Sequence, residues 1–223
     1  RYQSLIKKLF NAHTLSINKS VFRFNDSKKI KNKLFSSTVL KKMESSISFF
    51  GFEGPKINDK NYYEYIILDD YLFDGMSSVM FKKLREKRPL VYGMESSIDA
   101  FHNCGLYLMI FNGAAINVKE IKKELTQTLN HLSKTKISND FIEKSKQRIF
   151  KAWEMSFDSL HERGELMLNL EVYGLSHKSL ADMRSELSKV SATSIQKLVK
   201  KLYKENNYSY LVYKNKEMSN GNN

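Results

Sequence analysis

The side chains able to do chemistry in this 223-residue chain are few and scattered. Its histidines stand at positions 13, 102, 131, 161 and 177. No two are spaced so that one helix face could offer both imidazoles to a zinc ion. His161-Glu162-Arg163-Gly164-Glu165 comes nearest, opening like the helical zinc motif H-E-x-x-H, but its fifth residue is glutamate, so the second imidazole is missing. His161 therefore reads as a helix-surface residue and His102, beside Asn103, as a turn residue. Cys104 is the only cysteine, which rules out an intramolecular disulfide and a thiolate metal cluster. No serine, cysteine or lysine sits in the frame of an activated nucleophile, and Glu44, Glu53 and Glu64 show no spacing that marks a carboxylate pair. The chain carries no complete catalytic set of its own.

The formal charge of +13 raises nucleic acid as a partner. The lysines, however, are spread along the chain and interleaved with glutamates, as at Glu120, Lys123 and Glu124, and no aromatic RNA-binding motif, zinc finger or glycine-rich phosphate loop accompanies them. The one local concentration, Lys28, Lys29, Lys31, Lys33, Lys41 and Lys42 within Arg23 to Lys42, reads as a solvated linker face. Nucleic acid is not expected. Apolar runs such as Leu106 to Phe111 are too short to cross a bilayer, so no membrane span is expected either. The opening Arg1-Tyr2-Gln3-Ser4 does not read as a signal peptide and has no initiating methionine, so the chain is expected to be a fragment of a longer precursor whose targeting segment would not be visible in it; the compartment stays open.

The elements that must position any site follow from periodicity. Gln3 to Phe10 predicts a short helix, followed by a polar connector to about Met43. Ser46 to Phe52 predicts a strand that ends at Gly54-Pro55. Asn58-Asp59 opens a helix with Tyr62, Tyr65, Ile66, Leu68 and Leu72 around most of its circumference, and Asp74 to Ser78 breaks it and caps another to about Lys87. Leu90 to Ile98 and Gly105 to Phe111 predict two more strands. From Asn117 the period becomes helical, with Val118, Ile121, Leu125, Leu129 and Leu132 on one stripe and Asn117-x-x-Glu120 resembling a capping box. Ser138 to Tyr173 predicts a long helix or kinked pair, bent at Gly164 and stopped by Gly174. Two amphipathic helices, through Leu180 to Leu187 and Ile195 to Leu202, precede a last strand at Tyr208 to Tyr213 and a frayed tail from Glu217. This order predicts an α+β fold, a mostly antiparallel sheet with helices packed on one face. The expected organisation is an N-terminal helix and connector (1–44), a main half-domain (45–216) and a tail (217–223).

One stretch carries a resemblance. Gly75-Met76-Ser77-Ser78-Val79-Met80-Phe81-Lys82-Lys83-Leu84-Arg85-Glu86-Lys87, continuing Arg88-Pro89-Leu90-Val91-Tyr92, resembles the second-half signature G-x-S-S-x-L/M-F-x-x-L-R-E-x-x-G-L-x-Y of insulinase/pitrilysin-type zinc peptidases, a family that includes the mitochondrial processing peptidases. Phe50 to Pro55 is similar to the strand that precedes the signature, and Ile137 to Arg148 to a later helix; the likeness spans about residues 45 to 213. Pro89 stands where the family has glycine, and Phe73-Asp74 where it has a glycine-rich pair.

The resemblance implies half of a two-half clamshell peptidase. Only the other half would carry the inverted zinc motif H-x-x-E-H, which is absent here. It therefore implies no cofactor in this chain, zinc in a partner half, a peptide substrate, and association with a zinc-bearing half or subunit or with a second copy. It also implies roles for Arg85 and Tyr92, seven residues apart. Both would bind substrate, and Tyr92 would stabilise the oxyanion, because both donate hydrogen bonds to a developing negative oxygen in an enclosed chamber. The ordinary alternatives are a surface arginine paired with Glu86 and a tyrosine packed on the sheet; Lys83, Lys87 and Arg88 read as solvated charges. The alternative function is a catalytically inactive scaffold or assembly subunit of the same fold.

Overall fold

Alternation builds the sheet. Strands β1 (Ser36–Lys41), β2 (Ser46–Glu53), β3 (Val91–Ala100), β4 (Gly105–Gly113) and β5 (Tyr208–Asn215) lie in the order β1-β5-β2-β4-β3, with β1 parallel to β5 and the other neighbours antiparallel. Along β2, Ser46, Ser48, Phe50 and Phe52 are buried, and along β4 Tyr107, Met109, Phe111 and Gly113. The residues between them, including Ile47, Phe49, Leu108 and Ile110, are only half-buried. One face thus carries the helices and the other stays open.

The computed structural model describes Ser4 and residues 34–175, 179–203 and 207–215. Apart from Ser4, the expected helix Gln3 to Phe10 lies outside the described residues, as do His13, His177, Lys28 to Lys33 and the tail from Glu217. The chain divides into two compact units, Arg1–Lys31 and Asn32–Asn223, and the elements named here all belong to the second.

Its helices are α1 (Tyr62–Phe73), α2 (Val79–Phe81), α3 (Val118–Lys134), α4 (Asn139–Ser156), α5 (Leu160–Val172), α6 (Leu180–Ser188) and α7 (Ala192–Tyr203), with α2 prolonged by a π turn at Lys82–Glu86. The core joins Phe50, Tyr107 and Phe111 of the sheet to Leu68 of α1, Leu125 of α3 and Val199 of α7. Each such side chain contributes roughly 1.5–3 kcal/mol by leaving water. Helix α3 buries the predicted stripe Val118, Ile121, Leu125, Leu129 and Leu132. Helix α1 buries Tyr63, Tyr65, Ile67, Leu68, Asp70 and Leu72, close to its whole circumference. Asp70 is tolerable there because Ser145 of α4 donates its hydroxyl to it at 2.5 Å and Arg148 forms a charged hydrogen bond with it.

Two elements differ from expectation. The connector contains β1, an exposed edge strand whose Ser36-Ser37-Thr38 lacks an apolar alternation; its pairing with β5, from Ser36 opposite Tyr210, forms it. The long helix breaks at Phe157 to Ser159 instead of Gly164. Ser159 caps α5 by accepting from the Glu162 amide, and Arg163 donates to the Phe157 carbonyl, so the turn is stabilised by side chains that a helical reading treats as surface. Gly174, at φ 69°, ends α5 as predicted, the Leu175 amide donating back to Leu170.

Candidate functional site

Between α2 and β3 the backbone departs twice from regular geometry, once around Arg85 and once at Tyr92. Met80 and Leu84, four residues apart, are fully buried and anchor the segment, which turns Arg85 outward. The Lys87 amide donates to the Lys82 carbonyl at 3.0 Å, widening the last turn into a π turn, and the Leu90 amide reaches the Leu84 carbonyl at 2.8 Å. Such π turns inside a helix are frequent at functional sites. The Arg85 guanidinium lies over the Phe81 ring, 5.4 Å from its centroid, a cation–π contact that orients the side chain.

Tyr92 is the extra residue of a β-bulge. Val91 pairs with Gly113 and Gly93 with Asn112, so Tyr92 has no partner of its own on β4. A bulge re-aims a side chain, and Tyr92 is 64% exposed. Chain geometry thus places both residue types expected from the sequence on the outside of one short segment.

Helix α3 holds that segment from behind. Arg88 donates to Glu120 and to Glu124, each at 2.9 Å; Lys83 donates to the Thr128 hydroxyl at 2.8 Å and lies 3.9 Å from Glu124. Asn117 donates its side-chain amide to the Leu90 carbonyl at 3.0 Å. The hydrogen bond from Arg88 lowers the Glu120 carboxyl from its ordinary value, and the same bond raises Arg88, so each partner favours the charged form of the other. Lys83 and Arg88 are therefore ties and not merely solvated charges, while Lys87 is exposed. Asn117 makes no side-chain cap bond, so the expected capping box does not form; the amide serves the residue that leads into β3 instead. Gly113 completes the seat, since a Cβ there would stand 2.4 Å from the Leu90 carbonyl oxygen. Sequence reasoning missed Asn117, Glu120, Glu124 and Thr128. The signal was present in Glu120 and Glu124, one helical turn apart on an otherwise lysine-rich helix.

A second polar group lies beneath the sheet. Tyr107 donates its hydroxyl to Asp69 at 2.9 Å, tying β4 to α1. Burial raises the Asp69 carboxyl above its ordinary value; hydrogen bonds from Ser96 and Tyr107 work against this, and the charges of Asp70 and Asp74 add to it.

No metal fits these arrangements. Among the described residues no group of three or more His, Cys, Asp and Glu side chains could hold a metal ion. His161 lies on exposed α5, its Nε2 3.4 Å from Glu165, and His102 in the turn between β3 and β4. No described helix is long and apolar enough to cross a membrane.

Known proteins share this fold. Residues 4–149 match the family model described as the peptidase M16 inactive domain. Over 166 residues the chain is 25% identical to the uncharacterized zinc protease YmxG of Bacillus subtilis (strain 168), covering 74% of this chain and 40% of the relative. Among solved structures, a protease from Helicobacter pylori superposes with a TM-score of 0.74 at 18% identity, over 80% of this chain and 44% of that one. A peptidase M16 inactive domain from Pseudomonas fluorescens does so with a TM-score of 0.72 at 14% identity, over 82% and 44%. At such identities the solved structures establish the fold. The chain spans less than half the length of these relatives.

Proposed function

Because the chain belongs to the peptidase M16 inactive-domain family, we propose that it is the half of a zinc peptidase that binds peptide and stabilises the transition state while a partner half supplies the metal. Among the described residues no cluster of side chains fits zinc, and the metal would belong to the partner half. Arg85 and Tyr92 are the donors. The phenol of Tyr92 donates a hydrogen bond to the carbonyl oxygen of the scissile peptide as negative charge develops on it. Arg85 donates a charged hydrogen bond to a neighbouring backbone carbonyl, which positions the peptide before reaction. The observation that carries this reading is the bulge at Tyr92, which leaves a phenol exposed at the edge of the sheet instead of packed on it. The ties to α3 support it, because a donor acts on a transition state only if it is already held in place.

The test is reconstitution. The purified chain, a zinc-bearing half and their mixture are assayed on a quenched-fluorescence peptide, with metal analysis of each. The expected result is hydrolysis in the mixture alone, abolished by a chelator, with no stoichiometric zinc in this chain. Chelator-sensitive hydrolysis by this chain by itself, or a zinc half equally active without it, contradicts the proposal.

A further inference from the structure

Lys122 stands apart from the charge pairs of its helix. It is half-buried on α3, and its ammonium lies over two rings of β5, 4.4 Å from the Tyr210 centroid and 5.8 Å from that of Tyr208. The only acids of α3, Glu120 and Glu124, are two positions to either side and so on another face of the helix. Their ion pairs are with Lys83, Arg88 and Lys123. Among the described residues Lys122 has no carboxylate partner. The ring contacts orient the ammonium without neutralising its charge.

Lys122 lines an open pocket of about 290 Å³, together with Leu34, Phe35 and Ser36 at the start of β1 and Tyr208 and Tyr210 of β5. Helix α3 and two strands therefore build it. The Tyr210 amide donates to the Phe35 carbonyl at 2.8 Å, which fixes the backbone of one wall. Leu34 and Phe35 each leave about half of their surface exposed there, so the cation sits beside apolar groups still open to water. No acid lines the pocket.

We propose that this pocket binds a carboxylate carried on an apolar body the size of one side chain. That chemistry is shared by the carboxy-terminal residue of a peptide and by a free aromatic or branched-chain acid. A single cation matches a monoanion, and the carboxylate accepts a charged hydrogen bond from Lys122. Because the tyrosine rings already hold the ammonium, little rotamer freedom is lost when the ligand arrives. The apolar body covers Leu34 and Phe35 and removes their surface from water. The volume lies at the small end of ligand pockets, with room for one ring or branched chain. The inference goes beyond the peptidase reading and shares no residue with the segment of Arg85 and Tyr92.

Calorimetric titration of the full chain tests it with N-acetylphenylalanine, a tetrapeptide ending in phenylalanine, and the carboxamide of each. At least one of the two acids is expected to bind, with its amide at least about ten-fold weaker. The acid that binds identifies the source: the free acid alone, the peptide end alone, or both. Lys122→Met keeps the stem over the rings and removes the charge, so it should weaken the acid at least about ten-fold, while Lys122→Arg retains most of the binding. Phe35→Ala should weaken acid and amide alike. Melting temperatures should stay near wild type, since neither Lys122 nor Phe35 belongs to the core. Should Lys122→Met fail to fold, the ratio of acid to amide in the wild type decides. Four results overturn the proposal: neither acid bound, an amide bound as tightly as its acid, a folded Lys122→Met that binds the acid like wild type, or a Phe35→Ala that binds both unchanged.

Discussion

Asn117 gives its side-chain amide to the Leu90 carbonyl across 3.0 Å. An asparagine at that position would ordinarily accept from its own helix, and here it donates to the residue that leads into β3, two positions before Tyr92. Together with Arg88, which reaches Glu120 and Glu124, it makes α3 the support against which the start of β3 is set. The segment that carries Arg85 and Tyr92 is thus held by a helix that supplies neither residue.

Asn117→Ala is expected to cost about 0.5–1.5 kcal/mol of stability, the net value of one such bond, read from urea denaturation. Asn117→Asp, which cannot donate from its carboxylate, should lose a similar amount, whereas a Gln that reaches the same carbonyl should recover part of it. Equal stability of all three variants would show that the bond does not hold the strand.

Gly113→Ala tests the seat from the other side. Its Cβ would fall 2.4 Å from the Leu90 carbonyl oxygen, and backbone must shift to admit it. The expected loss is roughly 1–3 kcal/mol, with faster hydrogen exchange at Leu90 to Gly93. An unperturbed variant would mean that β3 and β4 do not approach so closely there.

The Asp69 carboxyl gives a pH-dependent prediction. Burial raises it above 3.8 in the folded chain. Folding therefore favours the protonated form, and wild-type stability falls as pH rises from 3.8 through the folded value. Asp69→Asn keeps an acceptor for Tyr107 without the charge. It should show no advantage below that window, a growing advantage across it and a constant one above. Thermal melts from pH 3 to 8 decide the matter; a variant less stable by the same margin at every pH contradicts the assignment.

The fold was legible in the sequence wherever burial has a period. The stripe of α3 and the alternation of β2 appear as soon as the apolar residues are marked, and the strand, helix and strand order then implies the layers. Strand β1 was not legible, because Ser36 to Lys41 is an edge strand formed by pairing with β5 and not by burial of its own side chains. The break before α5 was misplaced at Gly164 because glycine is the visible helix breaker, while the turn at Phe157 to Ser159 is fixed by Ser159 and Arg163 reaching backbone groups. Arg85 and Tyr92 were legible as a motif. Their bulge and π turn were not, since neither has a local sequence pattern, and the ties from α3 join residues 27 to 45 apart in the chain.

The most direct test of the central claim is steady-state kinetics of Tyr92→Phe in the reconstituted enzyme. Phe keeps the ring and removes only the donor. The expected result is a kcat lower by roughly ten- to a thousand-fold, with KM, zinc content and melting temperature near wild type, because the bond strengthens mainly in the transition state. Arg85→Ala should raise KM as well, since a charged grip on a peptide carbonyl also acts in the ground state. A Tyr92→Phe enzyme with unchanged kcat and a lowered melting temperature would contradict the account, making Tyr92 a packing residue and this chain a scaffold.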